Sequence, residues 1–262
     1  MARRLYRPER LDAVLKKLQD TGYVSVAELT DDLGVSAVTI RADVEMLERS
    51  GHLLRTHGGA VPISMGDNVL SFAVRQSANV QAKERIGAAA ARLVADGEAI
   101  AMDASTTVWH LARYMMARRD VTVLTTGLYV ALELLRAPGI SVMIPGGRVW
   151  REAAAVVSTP GQKSPEYPHV ELGNLRQGFF GGRGFTLEEG LTDVLQEEVD
   201  LKRQLVAAVR EVNVLVDSSK LGKVAFASCI PLERIHRVIT DAEAPVEFVA
   251  GLRRRGVEVI VA

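Results

Sequence analysis

The sequence predicts a mixed α/β chain in two parts, a small helical module closed by a hairpin and a larger Rossmann-like domain built on a mostly parallel sheet. Three observations predict it. Up to Val61 the apolar residues recur at helical spacing between strong capping signals; beyond Glu98 short apolar runs alternate with helical segments; and turn-forming residues separate the two regions.

Leu11, Val14, Leu15 and Leu18 form the stripe of a first amphipathic helix. Ser25-Val26-Ala27-Glu28 has the form of a capping box, in which the Ser oxygen and the Glu carboxylate serve each other's backbone N–H groups, and Leu29 and Leu33 are the buried side of a second helix. Gly34 supplies the turn. Ser36 then caps a third helix whose Ala37, Ile40, Val44 and Leu47 line one buried face, and Gly51 ends it in a left-handed cap. Val38, Arg41, Ala42 and Glu45 face outward. Leu53 to Thr56, His57-Gly58-Gly59 and Ala60-Val61 read as a small hairpin. The unit is a winged helix-turn-helix spanning residues 1–61. Its outward face of small residues and one Arg suits the major groove of double-stranded DNA, where Arg pairs bidentately with guanine. The candidate DNA contacts are Ser36, Ala37, Val38, Thr39 and Arg41 on the helix and Arg55 and His57 on the wing. A three-helix module that binds protein or only dimerises is the alternative.

Charge is the weakest support for this reading. Basic and acidic residues balance up to Val61, so sequence-independent attraction to phosphate is modest. Placement matters more than the sum. Arg3, Arg4 and Arg7 form a basic arm, Arg41 lies on the recognition face and Arg55 in the wing, whereas Asp31 and Asp32 sit toward the end of the second helix.

Residues 62–68 have turn chemistry and read as a linker, leaving 69–262 as the larger domain. It opens with a helical stretch from about Leu70 to Ala95. Strands follow at Ala99 to Asp103, Val121 to Thr125, Ile140 to Pro145, Gly178 to Gly182, Val212 to Asp217, Arg237 to Asp241 and Val257 to Val261. Helices fall at about Thr106 to Ala117, Leu128 to Arg136, Glu197 to Arg210 and Pro245 to Arg255. In such sheets ligands bind beyond the carboxyl ends of the strands. One loop there, Asp103-Ala104-Ser105-Thr106-Thr107, offers three hydroxyls at a helix N-terminus, which suits an anion the size of a phosphate. Pro145-Gly146-Gly147-Arg148 and Asp217-Ser218-Ser219-Lys220-Leu221-Gly222 bring small residues and a cation to the same edge. Together the three loops suggest one pocket for an anionic ligand. Singly, each has a plainer reading: a helix cap, a turn, a solvated lysine.

Composition excludes several classes. The 262 residues are 48% hydrophobic but contain no apolar run near the ~20 residues a membrane span requires. No signal peptide is visible, since Leu11 onward is a charged amphipathic helix. The single Cys229 forms no internal disulfide and reads as a small buried residue in a reducing cytoplasm. His52, His57, His110, His169 and His236 have no compact ligand spacing, so neither a metal nor a cofactor is expected. Trp109 and Trp150 read as core or pocket-wall residues, Trp150 being the nearer to Gly146-Gly147.

The N-terminal run through Val35-Ser36, Thr39-Ile40-Arg41, Asp43, Leu47-Glu48, Leu54-Arg55 and His57-Gly58-Gly59-Ala60 resembles the DNA-binding domain of DeoR-type bacterial transcriptional regulators. Lys83, Asp103 with Ser105-Thr106-Thr107, Gly146-Gly147, Phe179 with Gly181, Gly190-Leu191-Thr192, Lys202, Asp217-Ser218-Ser219-Lys220 and Thr240-Asp241 resemble that family's sensing domain. The resemblance implies a fold similar to ribose-5-phosphate isomerase and a repressor that binds operator DNA as a dimer or higher oligomer. It implies release by a phosphorylated sugar or related metabolite, with Asp103, Ser105, Thr106, Thr107, Gly146, Gly147, Lys202 and Lys220 around the effector. Three departures stand out. Ala42 replaces a usual Arg; Ala104-Ser105 replaces Ser-Gly; and Arg176 stands at a usually acidic position. Arg183 adds a cation, which either accommodates a more anionic ligand or, the plainer reading, pairs with Glu188 or Glu189. A sugar-phosphate isomerase, with Asp103, Asp193 or Asp217 as base, and a constitutive DNA-binding protein with a degenerate pocket are the alternatives.

Overall fold

The computed structural model describes residues 6–21, 23–49, 53–56, 58–62, 72–151, 153–157 and 175–262, and the chain divides into two compact units, Met1–Ala78 and Asn79–Ala262. The expected linker residues 63–68, the arm residues Arg3 and Arg4, Gly51, His52, His57 and His169 lie outside the described residues.

The first unit comprises α1 (Arg7–Thr21), β1 (Val24–Ser25), α2 (Val26–Leu33), α3 (Ala37–Arg49), β2 (Leu53–Thr56), β3 (Gly59–Pro62) and α4 (Phe72–Ser77). Ser25 and Glu28 form the reciprocal capping box, and Gly34 takes the left-handed conformation, φ 62°, that closes α2. Ser36 Oγ accepts from Thr39 N at 3.3 Å and so opens α3. Val14, Leu18, Leu29, Ile40, Val44, Leu47 and Leu53 pack as one core. Ala37, expected on that buried stripe, is only half-buried. The expected hairpin is the larger part of a three-stranded antiparallel sheet, order β1-β3-β2, because the two residues before α2 pair with β3.

The continuous helix expected over Leu70 to Ala95 is instead α4 and α5 (Val80–Ala91), broken at Asn79, whose φ of 53° no helix accommodates. Beyond α5 lie β4 (Ala99–Met102), α6 (Thr106–Arg113), β5 (Val121–Thr125), α7 (Leu128–Leu134), β6 (Ile140–Met143), β7 (Arg148–Trp150), β8 (Ala155–Val157), β9 (Leu175–Phe180), β10 (Gly184–Thr186), β11 (Gly190–Asp193), α8 (Gln196–Ala208), β12 (Val209–Leu215), β13 (Ala227–Ile230), β14 (Arg237–Thr240), α9 (Val246–Arg254) and β15 (Glu258–Val261).

All seven expected strands are present in one parallel sheet, order β15-β14-β12-β9-β4-β5-β6. Alternate residues of each strand serve opposite faces. Ile100, Met102, Val123, Phe179 and Leu215 pack with Ile86 of α5 and Val108 and Leu111 of α6; Ala101, Leu124, Phe180 and Val214 pack with Leu205 of α8 and Leu252 of α9. The chain runs outward from β4 to β6, then returns to β9 on the other side of β4. The order therefore reverses between β4 and β9, and the crevice at their carboxyl ends is the place where such sheets hold ligands. Two smaller sheets, β7-β8 and β10-β11-β13, complete the unit.

Candidate functional site

On the first unit, α3 and the wing enclose an open cleft of about 480 Å³ lined by Val26, Arg41, Val44, Glu48, Arg55, Gly58 and Gly59. Ser36, Val38, Arg41 and Arg55 are exposed, and Ala37 and Thr39 half-buried, so the described members of the expected DNA-reading set share the surface around one helix and its wing. Val38 is 73% exposed, an apolar side chain of the kind that meets a thymine methyl in the major groove. Two supports were not foreseen. Glu48 accepts from Arg55 N at 3.1 Å and its carboxylate lies 3.7 Å from Arg55 Nε, orienting the wing cation. Asp43, buried among the core residues of α3, accepts from Arg10 Nε and Nη2 and from Arg7 Nε, tying α3 to α1. Such a forked, buried contact fixes the rotation of α3 about its axis, and with it the residues offered outward.

On the second unit, the loop after β4 sits where the sheet order reverses. Asp103 Oδ1 accepts from Ser105 N at 2.9 Å, and Oδ2 accepts from Gly181 N at 2.8 Å across the gap to β9. Gly181 is required by proximity: a Cβ there would lie 2.5 Å from Ser105 Oγ. Ser105 Oγ in turn caps α6 through Val108 N at 3.3 Å. The Asp103 carboxylate and the Ser105 hydroxyl thus shape the loop and present the first backbone N–H groups of α6, together with the buried Thr106 and Thr107.

Lys202, from α8, lies beneath this loop at 2% exposure. Its ammonium donates to Gly181 O and Asp193 Oδ2, each at 2.8 Å, and stands 3.1 Å from Asp103 Oδ2. Burial opposes charge on both partners, lowering Lys202 and raising Asp193, but their mutual attraction prevails. Asp193 and Asp103 hold Lys202 well above its ordinary pKa, and Lys202 and Arg183 hold Asp193 below its own. All three ammonium donors face protein acceptors. Lys202 therefore braces the loop from below, and Asp103, expected beside the effector, has both carboxylate oxygens occupied.

The other loops adjoin this one. Gly146 and Gly147, both exposed, lead into the β7-β8 hairpin, whose Ala155, with Ala153 of its turn, packs on Ala104 with Trp150 alongside. After β12, residues Ser218–Lys220 make a short 3-10 turn opened by Asp217, whose Oδ1 accepts from Ser219 N and Oγ. Asp241, after β14, accepts from Ser218 N at 2.6 Å. Arg183 pairs with Asp193 at 3.8 Å, whereas its expected partner Glu188 pairs with Arg255 and Glu189 accepts from Ser228 Oγ. Arg176 pairs with Glu98 at 3.2 Å. Cys229 is buried, which pushes its thiol up to about 12. No group of three or more His, Cys, Asp or Glu able to hold a metal occurs among the described residues.

Both units match family descriptions. Residues 10–65 match the DeoR-like helix-turn-helix domain and residues 78–242 the DeoR C terminal sensor domain. The chain belongs to the DeoR family. The HTH-type transcriptional regulator GolR of Listeria innocua serovar 6a is 36% identical over 89% of this chain and 90% of its own length. The HTH-type transcriptional repressor GlcR of Bacillus subtilis is 31% identical over 98% and 97%. Among solved structures, ribose 5-phosphate isomerase from Plasmodium falciparum is partly similar, covering 53% of this chain and 52% of its own at 14% identity and a TM-score of 0.39. This DeoR-family protein is a DNA-binding transcriptional regulator, and Asp103 and Asp193, two of the carboxylates expected as base in the isomerase alternative, are both engaged with Lys202. Among the described residues no helix is long and apolar enough to cross a membrane.

Proposed function

We propose that this regulator is a cytoplasmic repressor of a carbohydrate-metabolism operon that acts as a dimer or higher oligomer. It holds operator DNA through Ser36, Ala37, Val38, Thr39, Arg41, Arg55 and His57, and releases it when a phosphorylated sugar or related metabolite occupies the larger unit. The observation that carries the sensing part is the α6 N-terminus at the reversal of strand order. There a loop shaped by Asp103, Gly181 and Lys202 offers backbone N–H groups and the Thr106 and Thr107 hydroxyls, as phosphate recognition requires. In this reading Asp103 and Lys202 set the loop, Ser105, Thr106 and Thr107 meet the phosphate, Lys220 supplies a positive charge, and Gly146-Gly147 gives room for the remainder of the ligand. Two relatives support the regulatory part by name, one a transcriptional regulator and one a transcriptional repressor.

Replacing Ser105 and Lys220 together by Ala tests it. The double variant should bind operator like the parent yet stay bound at inducer concentrations that free the parent. Loss of a charge-assisted contact and a hydroxyl weakens ligand binding by about 3 kcal/mol, on the order of a hundredfold. Calorimetric titration of inducer with and without operator should return a weaker affinity in the presence of DNA. Equal affinities in the two titrations would mean that this pocket does not govern DNA binding.

A further inference from the structure

Asn79 is the first residue of the larger unit, the point at which the chain arrives from the DNA-binding unit. It opens α5 in a left-handed conformation, φ 53° and ψ 37°, and its side chain makes no capping bond to its own helix. Asn is among the few non-glycine residues that tolerate this backbone, but its usual use at a helix start is to cap. Here the side chain amide reaches across the fold instead. Nδ2 donates to Asp217 Oδ1 at 2.9 Å and to Ser219 Oγ at 3.1 Å, while the Asn79 carbonyl begins α5 by accepting from Lys83 N at 3.1 Å.

The Asp217 carboxylate is loaded unevenly. Oδ1 accepts from Asn79 Nδ2, Ser219 N and Ser219 Oγ, whereas Oδ2, on a side chain only 1% exposed, has no partner among the described residues. A buried carboxylate oxygen without a donor is costly, and an arrangement that overfills one oxygen while leaving the other bare is poised for exchange. Ser219 is the group that an arriving phosphate would compete for, since its N–H and O–H donate to Asp217 and a single O–H cannot donate twice.

Resting on the reading of these loops as an effector site, we propose that Asn79 is the coupling residue that reports effector occupancy to the DNA-binding unit. When a phosphoryl oxygen captures a Ser219 donor, the hydrogen bonds around Asp217 Oδ1 redistribute. The 218–220 turn moves with Ser219 toward the phosphate, which draws Ser219 Oγ out of reach of Asn79 Nδ2, and the start of α5 is freed where the chain enters from the DNA-binding unit. The ligand acts only through its different affinity for the latched and unlatched states, as any coupling of two sites demands.

The test uses the full chain, a duplex selected by the parent protein from a random library, and inorganic phosphate and glucose 6-phosphate as probes. Asn79→Gly retains the left-handed backbone and removes the side-chain tie, and Asn79→Asp retains the shape while setting a carboxylate against Asp217. Amide exchange at 103–107 and 218–220 reports probe binding, and duplex affinity with and without probe reports coupling. In the parent the probe should slow exchange in these loops and weaken duplex binding by a factor in the roughly 5- to 150-fold range typical of allosteric coupling. In both variants the loops should still be protected, while the weakening falls below about twofold. Protection with parent-like weakening in the variants overturns the role of Asn79. If neither probe protects either loop in the parent, the effector-site reading falls and the coupling falls with it.

Discussion

Removing the Lys202 ammonium, by Lys202→Met, should be among the most damaging single changes in the larger unit. Methionine fills a similar volume, so the cost is electrostatic. Asp193 loses its partner at 2.8 Å and Asp103 its cation at 3.1 Å, and two buried carboxylates are left beside one loop. Breaking a buried pair from one side costs about 3–5 kcal/mol. Trp109 and Trp150 are the only tryptophans and both lie in the larger unit, so their fluorescence follows its unfolding in urea. With a slope of about 2 kcal/mol per molar, the midpoint should fall by about 1.5–2.5 M at pH 7. The pH dependence has a definite sign. In the parent the depressed Asp193 contributes stability above its ordinary value of 3.8, and that contribution is lost as pH falls through the lower folded value. In the variant Asp193 keeps only the more distant Arg183, at 3.8 Å, so burial favours its proton and stability should instead decline as pH rises above about 4. A midpoint shift below about 0.5 M, or the same sign of pH dependence in both proteins, would refute the assignment of Lys202 as an electrostatic brace.

Two further outcomes are expected. Arg41→Ala should weaken binding to a selected duplex by about 1–3 kcal/mol while leaving binding to a scrambled duplex nearly unchanged at the same salt, as measured by fluorescence anisotropy; equal losses on both would assign Arg41 to phosphate. Burial, with Arg113 and Lys83 nearby, lowers His110 to about 4, and neither ring nitrogen has a partner among the described residues. The unfolded chain therefore takes up the proton first, and stability should drop as pH falls from about 6.5 toward 4. His110→Leu should flatten that part of the melting-temperature profile, and an unchanged profile would clear His110 of the effect.

Local pattern was enough to read the central sheet and the helix-turn-helix. Ser25 with Glu28, Gly34 and Ser36 carry their geometry in nearest-neighbour chemistry, and each of the seven strands is a short apolar run between turn signals. The pairs β7-β8 and β10-β11 escaped notice because Arg148–Trp150, Gly184–Thr186 and Gly190–Asp193 hold only one or two apolar residues each and form no apolar run. The junction of α8 and β12 was misplaced because the chain passes from Ala208 to Val209 with no Gly or Pro to mark it. The loops of the candidate site were legible as motifs; their internal bonding was not. Lys202 and Asp103 are 99 positions apart and Asn79 and Asp217 138, so no periodicity connects them, and the family resemblance located Lys202 without disclosing that it lies under the loop. Asn79 had one sequence signal, a residue tolerant of left-handed backbone in the middle of an otherwise helical stretch.

The fork between Asp43 and α1 has a consequence for how the protein experiences its ionic surroundings. Arg7 and Arg10 both donate to Asp43, Lys17 pairs with Asp32 and Arg55 with Glu48, so these four cations are already partnered before DNA arrives. Each phosphate neutralised by a protein cation releases condensed counterions and adds about 0.9 to the slope of log affinity against log salt. Cations committed in this way add less to that slope than free ones. The protein's hold on DNA then varies less with ionic strength than its content of Lys and Arg alone would suggest.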